Sequence, residues 1–194
     1  MGTREILLTI FTIIIAVSSA QRTIAQSVSE KLKKLTAENV SEFIEDVSIL
    51  TSNQNLDRND KKIAEYLDRH ISKKASFRTS ITYMMPGLPD QEKVLTLKKD
   101  DYIEHVKKGA DSVDHYHSEV EIGDVKISKS KKSASVTTVT TESGIMQIPG
   151  EDGEMEEVSL DGRSECFQVL RLGKKGFIEM HSANCTTIMQ FLPY

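Results

Sequence analysis

The segment Asp114 to Glu119, "DHYHSE", places two histidines one residue apart between carboxylates. Side chains at i and i+2 of a strand project side by side, so His115 and His117 could ligate one ion or pass protons to a neighbouring carboxylate. Strand phase argues against an enclosed site. Tyr116, Val120 and Ile122 share one face, which leaves His115, His117, Glu119 and Glu121 on the other, facing solvent or a partner. Val125 and Ile127 continue the apolar set at odd positions. The change of phase requires a one-residue bulge, which Gly123 and Asp124 would tolerate.

His181 is the other candidate acid or base, because imidazole titrates near neutrality. It stands in "FIEMHSANC" and, by simple alternation, shares a strand face with Cys185. A lone strand histidine is more commonly a hydrogen-bonded packing residue. Tyr66, Tyr83 and Tyr116 are likewise polar groups inside apolar segments, and these four residues form the candidate pocket set. No catalytic residue is assigned. No nucleophile, histidine and acid spacing, phosphate-binding glycine loop or cysteine-rich metal motif appears, so neither a metal centre nor a cofactor is expected.

Cys166 and Cys185 flank "LGKKGF". If Lys175 and Gly176 form a two-residue hairpin turn, counting outward sets Cys166 opposite Cys185, where a disulfide can form. A three-residue loop with a bulge at Gly176 would shift the pairing by one. The alternative is two buried free thiols. Compartment bears on the choice: "MGTREILLTIFTIIIAVSSAQRTIAQ" has Arg4, an apolar run from Ile6 to Val17 and small residues before possible cuts after Ala20 or Ala25. That is the layout of a signal peptide over residues 1–20, and its run falls short of the roughly 20 residues of a membrane span. The expected location is periplasmic or secreted, with membrane attachment only through an uncleaved N-terminal segment.

The remaining chain has the length of one domain. A net charge of -4 and a pI near 5.8 give no basic excess for nucleic acid. The lysines fall in scattered pairs, with "KISKSKK" at an expected hairpin tip. The acidic run "EDGEMEE" reads as a second, solvated tip.

Two helices, a strand, a third helix and then consecutive strands are expected. Ser27 and Glu30 could form a capping box for a helical extension over residues 21–35 carrying Leu32 and Leu35. A single α+β domain follows over residues 36–194. Val40, Phe43, Ile44, Val47 and Leu50 mark one helix, and Ile63, Tyr66, Leu67 and Ile71 a second that Asp60 can cap. From Ala75 to Tyr83 the period becomes two, as in a strand. "MMPGLPDQE" reads as a loop, and Tyr102, Ile103, Val106 and Ala110 mark a third helix. Four consecutive strands follow, at about Tyr116–Ser128, Ala134–Ile148, Val158–Leu172 and Phe177–Ile188, in an antiparallel meander. The fold class is α+β, a curved antiparallel sheet packed against three helices of the N-terminal half.

From Thr36 to Ile188 this order of elements, with a helix entered through "LTLKKDDYIEHV", resembles the nuclear-transport-factor-2-like superfamily, the cystatin-like cone fold of SnoaL-like and ketosteroid-isomerase-like proteins. The resemblance implies a mostly apolar pocket between the concave sheet face and the helices. Gly109, His115, His117 and Glu121 are also spaced like part of the first cupin motif, but Ser128 stands in place of its last glycine and the second motif is not found. The functional expectation is an exported, non-enzymatic module that binds a small apolar ligand or an envelope protein through a pocket or sheet face, and a homodimer is compatible with it. The alternatives are a cofactor-independent SnoaL-like enzyme and a periplasmic secretion-assembly component.

Overall fold

The computed structural model describes residues 31–51, 59–109, 113–149 and 155–193. The elements run α1 (Ala37–Thr51), α2 (Asp60–His70), β1 (Ile71–Met84), β2 (Gln91–Lys98), α3 (Lys99–Gly109), β3 (Asp114–Ile127), β4 (Ser133–Pro149), β5 (Met155–Leu172) and β6 (Ile178–Pro193). The leader-like residues 1–20, both cleavage positions and the Ser27–Glu30 capping box lie outside the described residues.

The helices follow from their caps and stripes. Thr36 and Asn39 bond reciprocally, each side chain accepting from the other's backbone N–H, and start α1. Its buried stripe is the expected Val40, Phe43, Ile44, Val47 and Leu50. Asn59, rather than Asp60, caps α2 by accepting from the Lys62 N–H at 3.0 Å. That helix ends at His70, so Ile71 opens β1 instead of closing the helix.

Leu32 and Leu35 are not helical. Lys31 to Thr36 run as an irregular lead-in, bent at Lys33 and Lys34, whose Leu32 N–H donates to Gly176 O and whose Leu35 N–H donates to Lys131 O, both at 2.8 Å. Turn carbonyls thus satisfy backbone that a helix would have satisfied internally, and Leu35 inserts fully into the core.

One six-stranded sheet has the order β2-β1-β6-β5-β4-β3. The expected meander β3 to β6 is present, antiparallel throughout. The sheet as a whole is mixed, because β1 joins β6 in parallel. Part of the expected "MMPGLPDQE" loop, with the residues after it, forms the edge strand β2, which pairs antiparallel with β1. β3 shifts register between Ile122 and Val125, at the expected bulge. A second irregularity lies between Asp114 and His117, where His115 takes a φ of 51°.

The main core fills one end of the curved sheet. Leu35, Val40, Ile63, Leu67, Val136 and Leu170 are its most deeply buried side chains, drawn from the lead-in, α1, α2, β4 and β5. Tyr102, Ile103 and Val106 of α3 pack against it.

Candidate functional site

Beyond that core the helices and sheet stand apart. Inward-facing residues continue across the sheet in rows: Val136, Gln168, Ala183 and Phe77, then Thr138, Cys166, Cys185 and Thr79, then Thr140, Ser164, Thr187 and Ile81. All but Val136, which belongs to the core, floor a cavity of about 370 Å³, roofed by α1 and α3 through Ile44, Val47, Tyr102 and His105. Its size suits a small organic molecule.

Polar groups in the floor satisfy one another. Gln168 donates from Nε2 to Thr138 Oγ1 at 3.0 Å, and Thr187 Oγ1 lies 2.9 Å from Ser164 Oγ and 3.3 Å from Thr79 Oγ1. Such a belt costs little to bury while leaving the apolar wall to face a ligand.

Tyr116 and Glu142 form a bonded pair of titratable groups in the cavity, whose lining also includes Arg78 and His105. They project from the adjacent strands β3 and β4, and the Tyr116 hydroxyl donates to the Glu142 carboxylate. Burial pushes the Glu142 carboxyl above the usual range, against the opposing effect of that bond. Burial, then the Glu142 charge, raise the Tyr116 hydroxyl far above its ordinary value. Gly162 stands across from Glu142, where a Cβ would come 3.4 Å from the carboxylate oxygen Oε2. The arrangement can present a hydrogen-bonding carboxyl, nearer to neutral than on a surface, to a ligand in an apolar space.

The expected pocket residues separate. Tyr116 lines the cavity, whereas Tyr66, Tyr83 and His181 do not. Tyr66 is buried in α2 and stacks on His70 with ring centroids 4.3 Å apart, and Tyr83 stacks on Phe191 at 6.3 Å. His181 is the extra residue of a bulge: Val169 pairs with Ser182 but Leu170 pairs with Met180. The slip turns Met180 inward and His181 outward, so His181 does not share the face of Cys185.

The same bulge sets the disulfide. Leu172 pairs with Ile178, and Gly176 has a φ of 82°, so the hairpin has the longer loop and not the two-residue turn. That loop alone would misalign the cysteines by one residue. The bulge at His181 restores the register, and Cys166 and Cys185 are bonded across β5 and β6, Cα to Cα 4.1 Å. Both line the cavity floor.

His115 and His117 are exposed on the outer face, His117 with Nε2 3.2 Å from Glu119 Oε1. Among the described residues, no three histidine, cysteine or acidic side chains are grouped as a metal site. Two groups escaped the sequence reading. Glu142 follows Val136, Thr138 and Thr140 at alternate positions, a signal masked by the outward Val139. His70, at the helix-to-strand junction, is buried among Tyr66, Phe43 and Phe177.

No family model matches the chain, and no curated protein matches it. Solved structures are similar to it. A conserved protein from Planctomyces limnophilus aligns at 12% identity and a TM-score of 0.47, over 77% of this chain and 98% of its own. An NTF-2-like protein of unknown function from Pseudomonas aeruginosa aligns at 10% and 0.47, over 76% and 97%. A ketosteroid isomerase-like protein from Erwinia carotovora atroseptica aligns at 17% and 0.36, over 74% and 92%. The architecture itself is the α+β cone that the element order implied.

Proposed function

We propose that this chain is an exported binding module whose cavity holds a small, mostly apolar ligand carrying one polar group. The carrying observation is the cavity of about 370 Å³ with an apolar wall and the bonded pair Tyr116 and Glu142 at its side. Apolar contact supplies affinity in such a site, and a few polar groups fix orientation. Export is supported by the leader-like residues 1–20 and by a disulfide, a bond that persists in oxidising compartments.

The test is a titration of apolar fluorescent probes into the purified protein and into Thr140→Trp, which fills the floor. Saturable binding to the wild type that is lost in a folded Thr140→Trp variant supports the reading. Equal binding to both places the probe elsewhere and defeats it.

A second reading, a cofactor-independent pocket enzyme, is favoured by one observation, the raised carboxyl of Glu142 beside Tyr116. In that reading Glu142 exchanges a proton with substrate and Tyr116 positions it. Turnover abolished by Glu142→Gln with ligand binding retained would separate it from the binding module.

A further inference from the structure

Lysine pairs distant in sequence meet at one end of the cone. The lead-in brings Lys31, Lys33 and Lys34 against two turns, through Leu32 to Gly176 and Leu35 to Lys131. Lys132 Nζ also donates to Lys33 O at 2.9 Å. The β3–β4 turn adds Lys129 and Lys131, and the β5–β6 turn adds Lys174 and Lys175.

Beside them opens a groove between α2, the head of β1 and the β5–β6 hairpin, lined by Arg69, Lys73, Lys74, Arg171, Lys174 and Lys175. Its carboxylates Glu65, Asp68 and Glu179 are outnumbered, and Asp68 is engaged by Lys99. The hydrogen bond and charge of Lys99, then the charges of Lys73 and Lys175, hold the Asp68 carboxyl below its usual range. Basic groups from three segments therefore converge there.

The opposite end is acidic. There β5 opens with Glu156 and Glu157, and Asp161 follows. A chain of net charge -4 thus carries a segregated basic face.

We infer that this basic end docks on anionic phospholipid headgroups. Three features favour that partner. The face is broad and assembled from exposed turns, which suits a plane of charge better than a closed anion pocket. It is mostly lysine, a point charge without the planar fork that reads bases and bidentate phosphates. The apolar run Ile6–Val17 also leads into the domain here: the 13 residues from Ser18 to Ser29 and Glu30 separate it from Lys31, which touches Gly176 within this face. The attraction does not need the apolar run, because the lysines belong to the folded domain.

The test is flotation of the full chain with vesicles of phosphatidylcholine alone and of phosphatidylcholine mixed with phosphatidylglycerol, at low and high salt. The expected result is at least about tenfold stronger partitioning to the anionic vesicles, lost at high salt because surface charge is screened. Lys73→Glu, Lys74→Glu, Lys174→Glu and Lys175→Glu together should remove the preference. Glu156→Lys with Glu157→Lys, at the other end, should keep it.

Equal partitioning to both vesicles, or a preference that persists at high salt in the wild type, overturns the inference without reference to any variant. Release from anionic vesicles by millimolar inorganic phosphate would reassign the groove to a small free anion. Tighter binding to a short DNA duplex than to the anionic vesicles would reassign it to nucleic acid.

Discussion

Cys166 stands opposite Cys185 because His181 occupies an extra position in β6. The hairpin loop displaces the pairing by one residue and the bulge displaces it back. Deleting His181 should therefore part the cysteines by one position and present two titratable thiols in the denatured, unreduced protein. A variant that still shows none would mean the register is set elsewhere.

The disulfide closes a loop with a sequence separation of 19. A cross-link of that span stabilises by about 3 kcal/mol, mainly by restricting the unfolded chain. Cys166→Ser with Cys185→Ser should lower the denaturant midpoint by a corresponding amount, without changing the far-ultraviolet spectrum. An unchanged midpoint would show that the bond adds no stability.

Leu35 is fully buried although it precedes the first helix, and its backbone is fixed to Lys131. Leu35→Ala should cost about 2 to 5 kcal/mol, as for other buried leucines. A loss of only a few tenths, read by urea unfolding, would show that the lead-in is not part of the cooperative core.

His70 Nδ1 lies 2.8 Å from Ile178 O and donates to it, while Nε2 is buried with no hydrogen-bond partner among the described residues. Burial, partly opposed by the Ile178 bond, holds the imidazole below its usual value. The unfolded chain then takes up the proton first, so His70 lowers stability as pH falls below about 6.5. His70→Asn keeps a donor for Ile178 O and should flatten that part of the stability profile. An unchanged slope would contradict the assignment.

Glu142 acts with the opposite sign. Its raised carboxyl binds a proton more readily in the fold, so its contribution is complete below the unfolded value, about 4.3, and declines as pH rises through the folded one. Glu142→Gln should therefore gain stability relative to wild type above that range, measured by thermal unfolding at several pH values. A constant difference across pH would mean the carboxyl titrates as it does in the unfolded chain.

Much of the fold was legible because helical stripes and strand alternation record burial locally. The stripe of α1, the bulge after Ile122 and the meander all follow from spacing. β2 was hidden because only Leu95 and Leu97 of its apolar residues are half-buried, while Val94 is exposed and two prolines precede the strand. The parallel pairing of β1 with β6 joins residues more than a hundred positions apart, beyond any local period. In the site, Tyr116 lines the cavity from the face that it shares with Val120 and Ile122. His181 was misplaced because one bulged residue reverses every face that follows, and nothing in "FIEMHSANC" marks the bulge.

As a binding site, the cavity beside Tyr116 and Glu142 would be occupied in life. Native mass spectrometry of the chain purified from an expressing cell, repeated after denaturation and on the Thr140→Trp variant, reads that occupancy. An occupied cavity gives an added organic mass on the native wild type that denaturation removes and the variant lacks. A bare polypeptide in every sample, or an added mass that the folded variant retains, would contradict it.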